Sequence, residues 1–168
     1  MFETGDYIIY GNNGVCRVED IGTLDISGVQ KGQLYYTLQP VYSKGSKVFT
    51  PVNNDKVIMR PILTESEAKK IIDGIGEIDE LWIEDDAKRD SAYKESIKKC
   101  DCTEWIKLIK TLYVRKQNRM TEGRKIAAGD ERYLRQAEDN LYGELAISLH
   151  IDRNKVEDYI ISRVEGEE

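Results

Sequence analysis

The apolar residues of this chain follow two different periods. Up to about residue 62 they alternate with polar residues in short runs, and turns rich in Gly and Asn separate the runs. Alternation with a period of two is typical of β-strands that bury one face. From residue 64 onwards the apolar residues recur three and four positions apart, which is the spacing of amphipathic helices. The pattern therefore predicts an α+β chain in which short strands precede a set of helices.

The first part of the chain predicts five short strands, at residues 6–10, 15–21, 33–42, 47–51 and 57–60. A sheet of this size must curl to bury one face, so we expect a small β-barrel of the SH3 or Tudor type. Its inward positions by alternation are Ile8, Tyr10, Val15, Val18, Leu34, Tyr36, Leu38, Val48 and Val57. A partly open barrel leaves a strand edge that can pair with a partner, and residues 47–50 are the candidate edge.

The second part begins with a helix-capping sequence, Thr64-Glu65-Ser66-Glu67. The threonine hydroxyl and the last glutamate can satisfy the first free amides of a helix, which we expect to end near Asp73. Asp101 and Glu104 predict a long helix to about Met120, and two further helices follow, the last one capped by Asp152. Their apolar stripes predict a compact bundle. We therefore divide the chain into a barrel domain, residues 1–63, and a helical domain, residues 64–168.

The formal net charge of −6 hides a strong local pattern. Residues 86–125 carry 12 basic and 6 acidic side chains, whereas residues 64–85 carry 2 and 8 and residues 126–168 carry 5 and 11. A surface field depends on such local clusters, so the basic segment can attract phosphate groups although the chain is acidic overall. The alternative is an ordinary solvated helix face. Charge alone leaves both interpretations open.

Few residues offer catalytic or metal-binding chemistry. His150 is the only histidine and falls at a predicted helix end, while the carboxylates lie on charged helix faces where nothing selects a pair for acid–base work. Cys100 and Cys102 lack a second Cys or His pair at metal-ligand spacing, and the total of three cysteines is odd. We therefore expect free thiols and a binding protein with no catalytic residues, metal or cofactor.

The chain also lacks the sequence features of export or membrane insertion. Its first residues contain neither the basic nor the apolar region of a signal peptide, and no apolar run approaches the roughly 18 residues of a membrane span. We expect a cytoplasmic monomer without membrane contact.

Several short motifs follow one another in a recognisable order. The chain starts with Phe2-x-x-Gly5-Asp6-x-Ile8-x-Tyr10, and Gly14 closes the first turn. The helical part contains Tyr93-Lys94, then Asp101 and the helix end Arg115-x-Gln117-x-Arg119, then Gly129-x-x-Arg132 and Gly143-Glu144-Leu145-Ala146. In this order the motifs resemble the CarD/CdnL family of bacterial RNA polymerase-binding transcription regulators. That family shares its N-terminal domain with transcription-repair coupling factors.

The resemblance implies a separate partner for each domain. The barrel is expected to dock on a lobe of the polymerase β subunit through Lys47, Val48, Phe49, Thr50 and Pro51. The helical domain is expected to contact promoter DNA at the upstream edge of the melted bubble, where a tryptophan wedges into the minor groove. The implied DNA contacts, mainly to the backbone and with little base specificity, are Trp82, Arg89, Lys94, Lys98 and Arg132. The implied function is stabilisation of the promoter open complex, by a cytoplasmic protein that associates with the nucleoid through polymerase.

Two features depart from the family pattern. Acidic residues 84–86 follow Trp82, where better-known members carry a basic-x-Tyr-Lys motif almost at once. Trp82 is therefore either the DNA wedge or a structural anchor between the modules, whereas Trp105 fits the apolar stripe of the long helix. Phe49 occupies the position of a polymerase-contacting arginine, so docking would rely on strand pairing and apolar contact. A second function stays open, that of a protein–protein adaptor whose helical domain does not contact DNA.

Overall fold

The computed structural model describes residues 1–166 and contains two compact units, Met1–Ile62 and Leu63–Glu168. The first unit is a five-stranded antiparallel sheet, and the second is a set of helices. This architecture confirms the predicted α+β class, with a Tudor-like N-terminal domain.

The strands of the first unit are β1 (Tyr7–Tyr10), β2 (Val15–Thr23), β3 (Leu34–Pro40), β4 (Val48–Pro51) and β5 (Met59–Pro61). They pair in the order β4-β3-β2-β1-β5, so β4 and β5 are the outer strands. A register shift between Val18 and Asp20 marks a bulge in β2, which bends a strand and increases its twist. The predicted edge segment is therefore an outer strand, as expected.

One face of the sheet carries the core of the first unit. The buried cluster consists of Ile8, Tyr10, Cys16, Val18, Tyr36 and Leu38. Alternation predicted most of these positions, but its prediction for Leu34 is wrong, because this first residue of β3 pairs with Thr23 at the end of the sheet and is exposed. It also missed Ile9, which is fully buried although it alternates with Ile8. Both faces of β1 are thus covered at this point, which a period of two cannot reveal.

The helices of the second unit are α1 (Glu65–Asp73), α2 (Arg89–Lys98), α3 (Cys102–Thr121), α4 (Ala128–Leu149) and α5 (Val156–Val164). The predicted capping box is present at α1: the Glu67 N–H donates to Thr64 Oγ1 at 3.1 Å, and the Thr64 N–H donates to Glu67 Oε1 at 3.0 Å. Helix α2 was not predicted, because its largely charged sequence has no clear apolar stripe.

Two helix starts differ from the prediction. Helix α4 begins at Ala128, so Gly129 lies in its first turn instead of before it. Asp152 precedes a 3-10 turn, Arg153–Lys155, and its side chain makes no capping bond to the backbone. Apolar spacing locates the middle of a helix better than its ends, where individual hydrogen bonds decide.

Glu144 is a fully buried carboxylate on α4 that holds the start of the helical unit. Its Oε2 accepts a hydrogen bond from the Leu63 N–H at 2.9 Å, and its Oε1 accepts one from the Cys102 thiol at 3.2 Å. One turn further along α4, the Ser148 hydroxyl donates to the Leu63 carbonyl at 2.7 Å. Both backbone groups of Leu63 are therefore bonded to α4, and the buried charge has the partners that it requires.

Within the described residues, no helix combines the length and the apolar character that a membrane span requires.

We predict that Glu144→Ala destabilises the fold strongly. The substitution removes the carboxylate that accepts from the Leu63 N–H and the Cys102 thiol and opens a cavity, so the free energy of unfolding should fall by about 2–4 kcal/mol. Urea denaturation followed by circular dichroism measures this change. Gln136→Ala, on the exposed side of the same helix, should change the value by less than about 0.5 kcal/mol. Equal losses in the two variants would contradict the proposed role of the carboxylate.

Candidate functional site

The five residues expected to contact polymerase lie at or just before the outer strand β4. Lys47 precedes the strand and is exposed, while Pro51 ends it. Val48 packs against the barrel core and Thr50 is buried. Phe49 lies on the opposite face and is 47% exposed. The side chains of β4 thus alternate between the core and the surface, and Phe49 is the large apolar residue presented outwards.

The backbone of Phe49 faces the open edge of the sheet. The Val52 N–H donates to the Leu34 carbonyl at 3.1 Å, so Leu34 and Val52 form a hydrogen-bonded pair between β3 and the end of β4. Bonded and non-bonded pairs alternate along an antiparallel ladder, so the pair Thr37 and Phe49, three positions away, is a non-bonded one. In such a pair the N–H and C=O groups point away from the neighbouring strand. The Phe49 backbone can therefore bond to an added strand.

The two tryptophans of the chain occupy opposite environments. Trp82 lies in the segment between α1 and α2 and is 82% exposed. Trp105 is buried in α3, and its indole N–H donates to the Ile97 carbonyl at 3.3 Å. This confirms the prediction of Trp105 as a core residue, and it leaves Trp82 as the tryptophan that a partner can reach.

Helix α3 holds the backbone of the segment that carries the exposed tryptophan. The N–H of Leu81 donates to the Thr111 hydroxyl at 2.8 Å. The ammonium group of Lys110, the preceding residue of the helix, donates to the carbonyls of Ile75 and Ile78. These contacts fix the chain on the N-terminal side of the tryptophan to the middle of α3. The indole is therefore presented from an anchored backbone.

The acidic residues that follow the tryptophan are in part paired with arginine. Asp86 accepts hydrogen bonds from the Arg89 guanidinium, the shorter of them at 2.7 Å. This bond, helped by the nearby charges of Arg89 and Arg115, lowers the pKa of Asp86. Arg115 lies one helical turn beyond Thr111 on α3, so residues 81–86 run beside one face of that helix.

A polar cluster joins α2 to α4 around Asp90. The carboxylate accepts a hydrogen bond from the Tyr133 hydroxyl at 2.6 Å and forms an ion pair with Lys94 at 3.1 Å. The Tyr133 bond and then the Lys94 bond lower the pKa of Asp90, and the charge of Arg132 adds to the effect. Burial, followed by the bond to Asp90, raises the pKa of Tyr133 to about 12.

Arg89 joins this cluster through an aromatic contact. Its guanidinium donates to the Tyr93 hydroxyl at 3.0 Å, and the Tyr93 ring packs edge-on against Tyr133, with centroids 5.5 Å apart. The hydrogen bond to Tyr93 is the main reason that the pKa of Arg89 is raised. Arg89, Lys94 and Arg132 therefore occupy one region of the helical unit.

The remaining two predicted DNA contacts stand apart from that cluster. Lys98 is exposed at the end of α2, one turn beyond Lys94 on the same helix face. Trp82 precedes Asp86 by four residues, so their Cα atoms lie within about 14 Å of each other. The tryptophan is thus near the basic cluster, with carboxylates between them.

Three residues that organise this region escaped the sequence analysis: Asp90, Thr111 and Tyr133. Thr111 carried the clearest signal, because it is a polar residue between the apolar positions Leu108 and Leu112 of α3. Asp90 and Tyr133 are 43 positions apart in the sequence, and no local spacing connects them.

No group of three or more His, Cys, Asp or Glu side chains within residues 1–166 is arranged to hold a metal ion. The three cysteines are buried, and burial raises the pKa of Cys16 to about 11. His150 is an exposed residue that ends α4 in a left-handed conformation, with a φ of 58°.

Two protein-family models match the chain. The model of the CarD-like/TRCF RID domain matches residues 2–63, and the model of the CarD C-terminal domain matches residues 79–161. The chain belongs to the CarD/CdnL family. CarD-family domains are found in transcription-associated, non-enzymatic regulators that interact with RNA polymerase. The first match covers the whole sheet, and the second covers the Trp82 segment together with α2, α3 and α4.

We predict that the bond between Tyr133 and Asp90 stabilises the fold only while Asp90 is ionised. The folded-state pKa of Asp90 lies below its ordinary value of 3.8, so this contribution is fully present above that pH and is lost as the pH falls below it. Tyr133→Phe should therefore be less stable than the wild type at neutral pH, and the difference should narrow below about pH 4.

Urea unfolding at several pH values between about 7 and 2.5 tests this expectation. The matched control repeats the comparison in an Asp90→Asn background, where the narrowing should vanish. A stability difference that does not change with pH in the native background would exclude the carboxylate as the relevant partner.

Proposed function

We propose that this CarD-family protein binds the β subunit of RNA polymerase through β4 and stabilises the promoter open complex through its helical unit. The observation that carries the polymerase contact is the open edge of β4, where the Phe49 backbone groups point away from the sheet. An edge of this kind can pair with a strand of another protein, because backbone hydrogen bonds then continue the ladder.

Strand addition at β4 also explains how the contact could be selective. Val48 and Thr50 face the barrel core, so they support the strand from within. The exposed Phe49 ring can pack on a side chain of the incoming strand, and Lys47 adds a positive charge beside it. Backbone bonds would supply affinity, while these two side chains would supply preference.

The proposed DNA contact rests on the exposed Trp82 and the basic cluster near Asp90. An apolar ring that enters a base step must offset the free-energy cost of unstacking the bases, which is about a few kcal/mol. Neighbouring phosphate contacts hold the DNA in place during this insertion. The ion pair between Lys94 and Asp90 is solvent-exposed and worth at most about 1 kcal/mol, so a phosphate group can replace the carboxylate. Lys98 and Arg132 would extend the contact along the backbone.

We predict that Phe49→Pro weakens binding to the cognate β-subunit lobe by at least about tenfold. Proline removes the N–H that points to the open edge, whereas the hydrogen bonds between β3 and β4 do not use that group. Biolayer interferometry with the full chain and the isolated lobe measures the affinity.

Phe49→Ala is the matched control for this experiment. It keeps the backbone N–H and removes only the ring, so it should weaken binding less than the proline variant does. If Phe49→Pro binds as tightly as the wild type while its thermal unfolding is unchanged, then strand addition at β4 is wrong.

We predict that Trp82→Ala shortens the lifetime of the promoter open complex about three- to tenfold, equivalent to roughly 1 kcal/mol. Competitor-challenge assays with the cognate polymerase measure this lifetime. Met120→Ala, which removes an exposed apolar side chain from α3, should leave the lifetime unchanged. Lys94→Glu should also shorten it, and this effect should shrink as salt increases because it acts through phosphates.

A second function is favoured by the acidic residues beside the tryptophan. Glu84, Asp85 and Asp86 would repel a phosphate backbone, and Arg89 is already bonded to one of them. These features suit a protein–protein adaptor in which Trp82 contacts polymerase or another protein. In that case Trp82→Ala and Lys94→Glu would reduce polymerase recruitment but would leave the open-complex lifetime unchanged once polymerase is saturated.

We further propose that the protein acts as a cytoplasmic monomer without catalysis or a cofactor. The non-enzymatic character of CarD-family domains supports this view. Analytical ultracentrifugation at micromolar concentrations tests the monomeric state, because a dimer would sediment measurably faster.

A further inference from the structure

A cleft in the helical unit has no part in the proposed contacts with polymerase or DNA. It lies between α3, α4, α5 and the 3-10 turn Ile75–Glu77 and has a volume of about 320 Å³. None of the β4 residues or the proposed DNA contacts lines it. Tyr113, which lines the cleft, lies about 200° around α3 from Thr111, which holds the tryptophan segment. Thr111 therefore faces away from the cleft, whereas its neighbour Lys110 both lines the cleft and bonds to the segment that carries the tryptophan.

The floor of the cleft is apolar. Its aliphatic lining consists of Ile75, Ile106, Ile109, Leu141, Ile160 and Ile161. The apolar surface continues along α5, where Ile161 and Val164 are 47% and 51% exposed and lie three residues apart on one helix face. A small molecule that fills the cleft would leave Val164 uncovered, so the extent of the apolar strip fits a polypeptide segment better.

One side of the cleft carries acidic groups. Glu157 of α5 lines it directly. Behind it, Glu138 of α4 accepts hydrogen bonds from the hydroxyls of Tyr113 and Tyr142, each at 3.3 Å and each to the same oxygen, Oε2. Burial, together with the nearby charge of Glu157, raises the pKa of Glu138. Glu138 is therefore partly desolvated, and the exposed Glu157 carboxylate lies near it.

One lysine, Lys110, also lines the cleft, and two of its three ammonium donors are already used. The ammonium group of Lys110 bonds to the carbonyls of Ile75 and Ile78, at the turn that closes one side. Asp139, the neighbour of Glu138, is paired with Arg153 at 2.7 Å. Glu138 and Glu157 make no ion pair within residues 1–166, so a cation that enters on the α5 side of the cleft would meet two carboxylates without a basic partner.

We propose that this cleft is a docking site for a segment of a partner protein that carries an aliphatic side chain and, close to it on the same face, a lysine or arginine. The aliphatic side chain would enter the cleft between Ile106 and Ile160. The cation would lie between Glu157 and Glu138 and would form charged hydrogen bonds with their carboxylates. The remainder of the segment would cover Ile161 and Val164. This site would let a CarD-family protein engage a further protein while β4 and Trp82 are occupied.

A phage-displayed library of random twelve-residue peptides tests the proposal without knowledge of the natural partner. The full chain is immobilised, and phages that also bind the Ile161→Ser variant are removed, so that the surviving peptides depend on the apolar strip. We expect these peptides to carry Lys or Arg within four residues of Leu, Ile, Val or Met. In nuclear Overhauser spectra, we also expect cross-peaks between the bound peptides and the Ile methyl groups of the cleft.

Synthetic copies of the best peptides are then titrated against two charge variants. Glu157→Gln should lower the affinity about five- to tenfold. Asp158→Asn removes the same charge from the next residue of α5, which does not line the cleft, and should change the affinity by less than about twofold. Both substitutions are at exposed positions, and thermal unfolding verifies that both variants fold.

Four results would overturn the proposal. The first is a selection that yields no peptide dependent on Ile161, and the second is a set of enriched peptides without a basic residue. Equal losses in Glu157→Gln and Asp158→Asn would indicate general attraction to an acidic surface. The fourth is saturation of the cleft by n-hexylammonium, measured from isoleucine methyl shifts, at a lower concentration than any selected peptide requires. That result would identify a site for a small organic cation instead of a protein segment.

Discussion

The helical unit depends on one buried carboxylate, that of Glu144. A charge in the interior is costly unless each oxygen has a hydrogen-bond donor, and here the donors are the Leu63 N–H and the Cys102 thiol. These bonds fix both the start of the unit and the first residue of α3 against α4. Helix α3 in turn bonds to Leu81 through Thr111, so the presentation of Trp82 follows from a chain of contacts that begins at Glu144.

The surfaces proposed to bind partners differ in their physical character. At β4 the available groups are backbone donors and acceptors at the edge of a sheet, supported by an aromatic ring. Around Asp90 they are basic side chains, and two of them, Arg89 and Lys94, already pair with a carboxylate that a phosphate group would have to replace. Exposed ion pairs are weak enough for that exchange. The cleft between α3 and α5 has the opposite sign and an apolar floor, and it therefore suits a different kind of partner.

Much of the fold could be predicted from the sequence, because its strongest signals are local. Alternation located the strands and most of the barrel core, and the Thr64 capping box located the start of α1. Local signals failed where one segment depends on another far away. Helix α2 has no apolar stripe of its own, yet Tyr93 is buried because its ring packs on Tyr133 of α4. Leu34 has the right phase for the core but lies at the end of the sheet.

By itself, the sequence determined the α+β class, the position of the outer strand, the family and the identity of the buried tryptophan. These properties follow from periodicity and from motifs, which involve residues close together along the chain. Only the tertiary structure decided how the charged side chains are paired, that the Phe49 backbone faces the open edge, and that Glu138 lies behind the cleft that Glu157 lines. Each of these depends on distances between segments remote in sequence, and hydrogen bonds form or fail over a few tenths of an ångström.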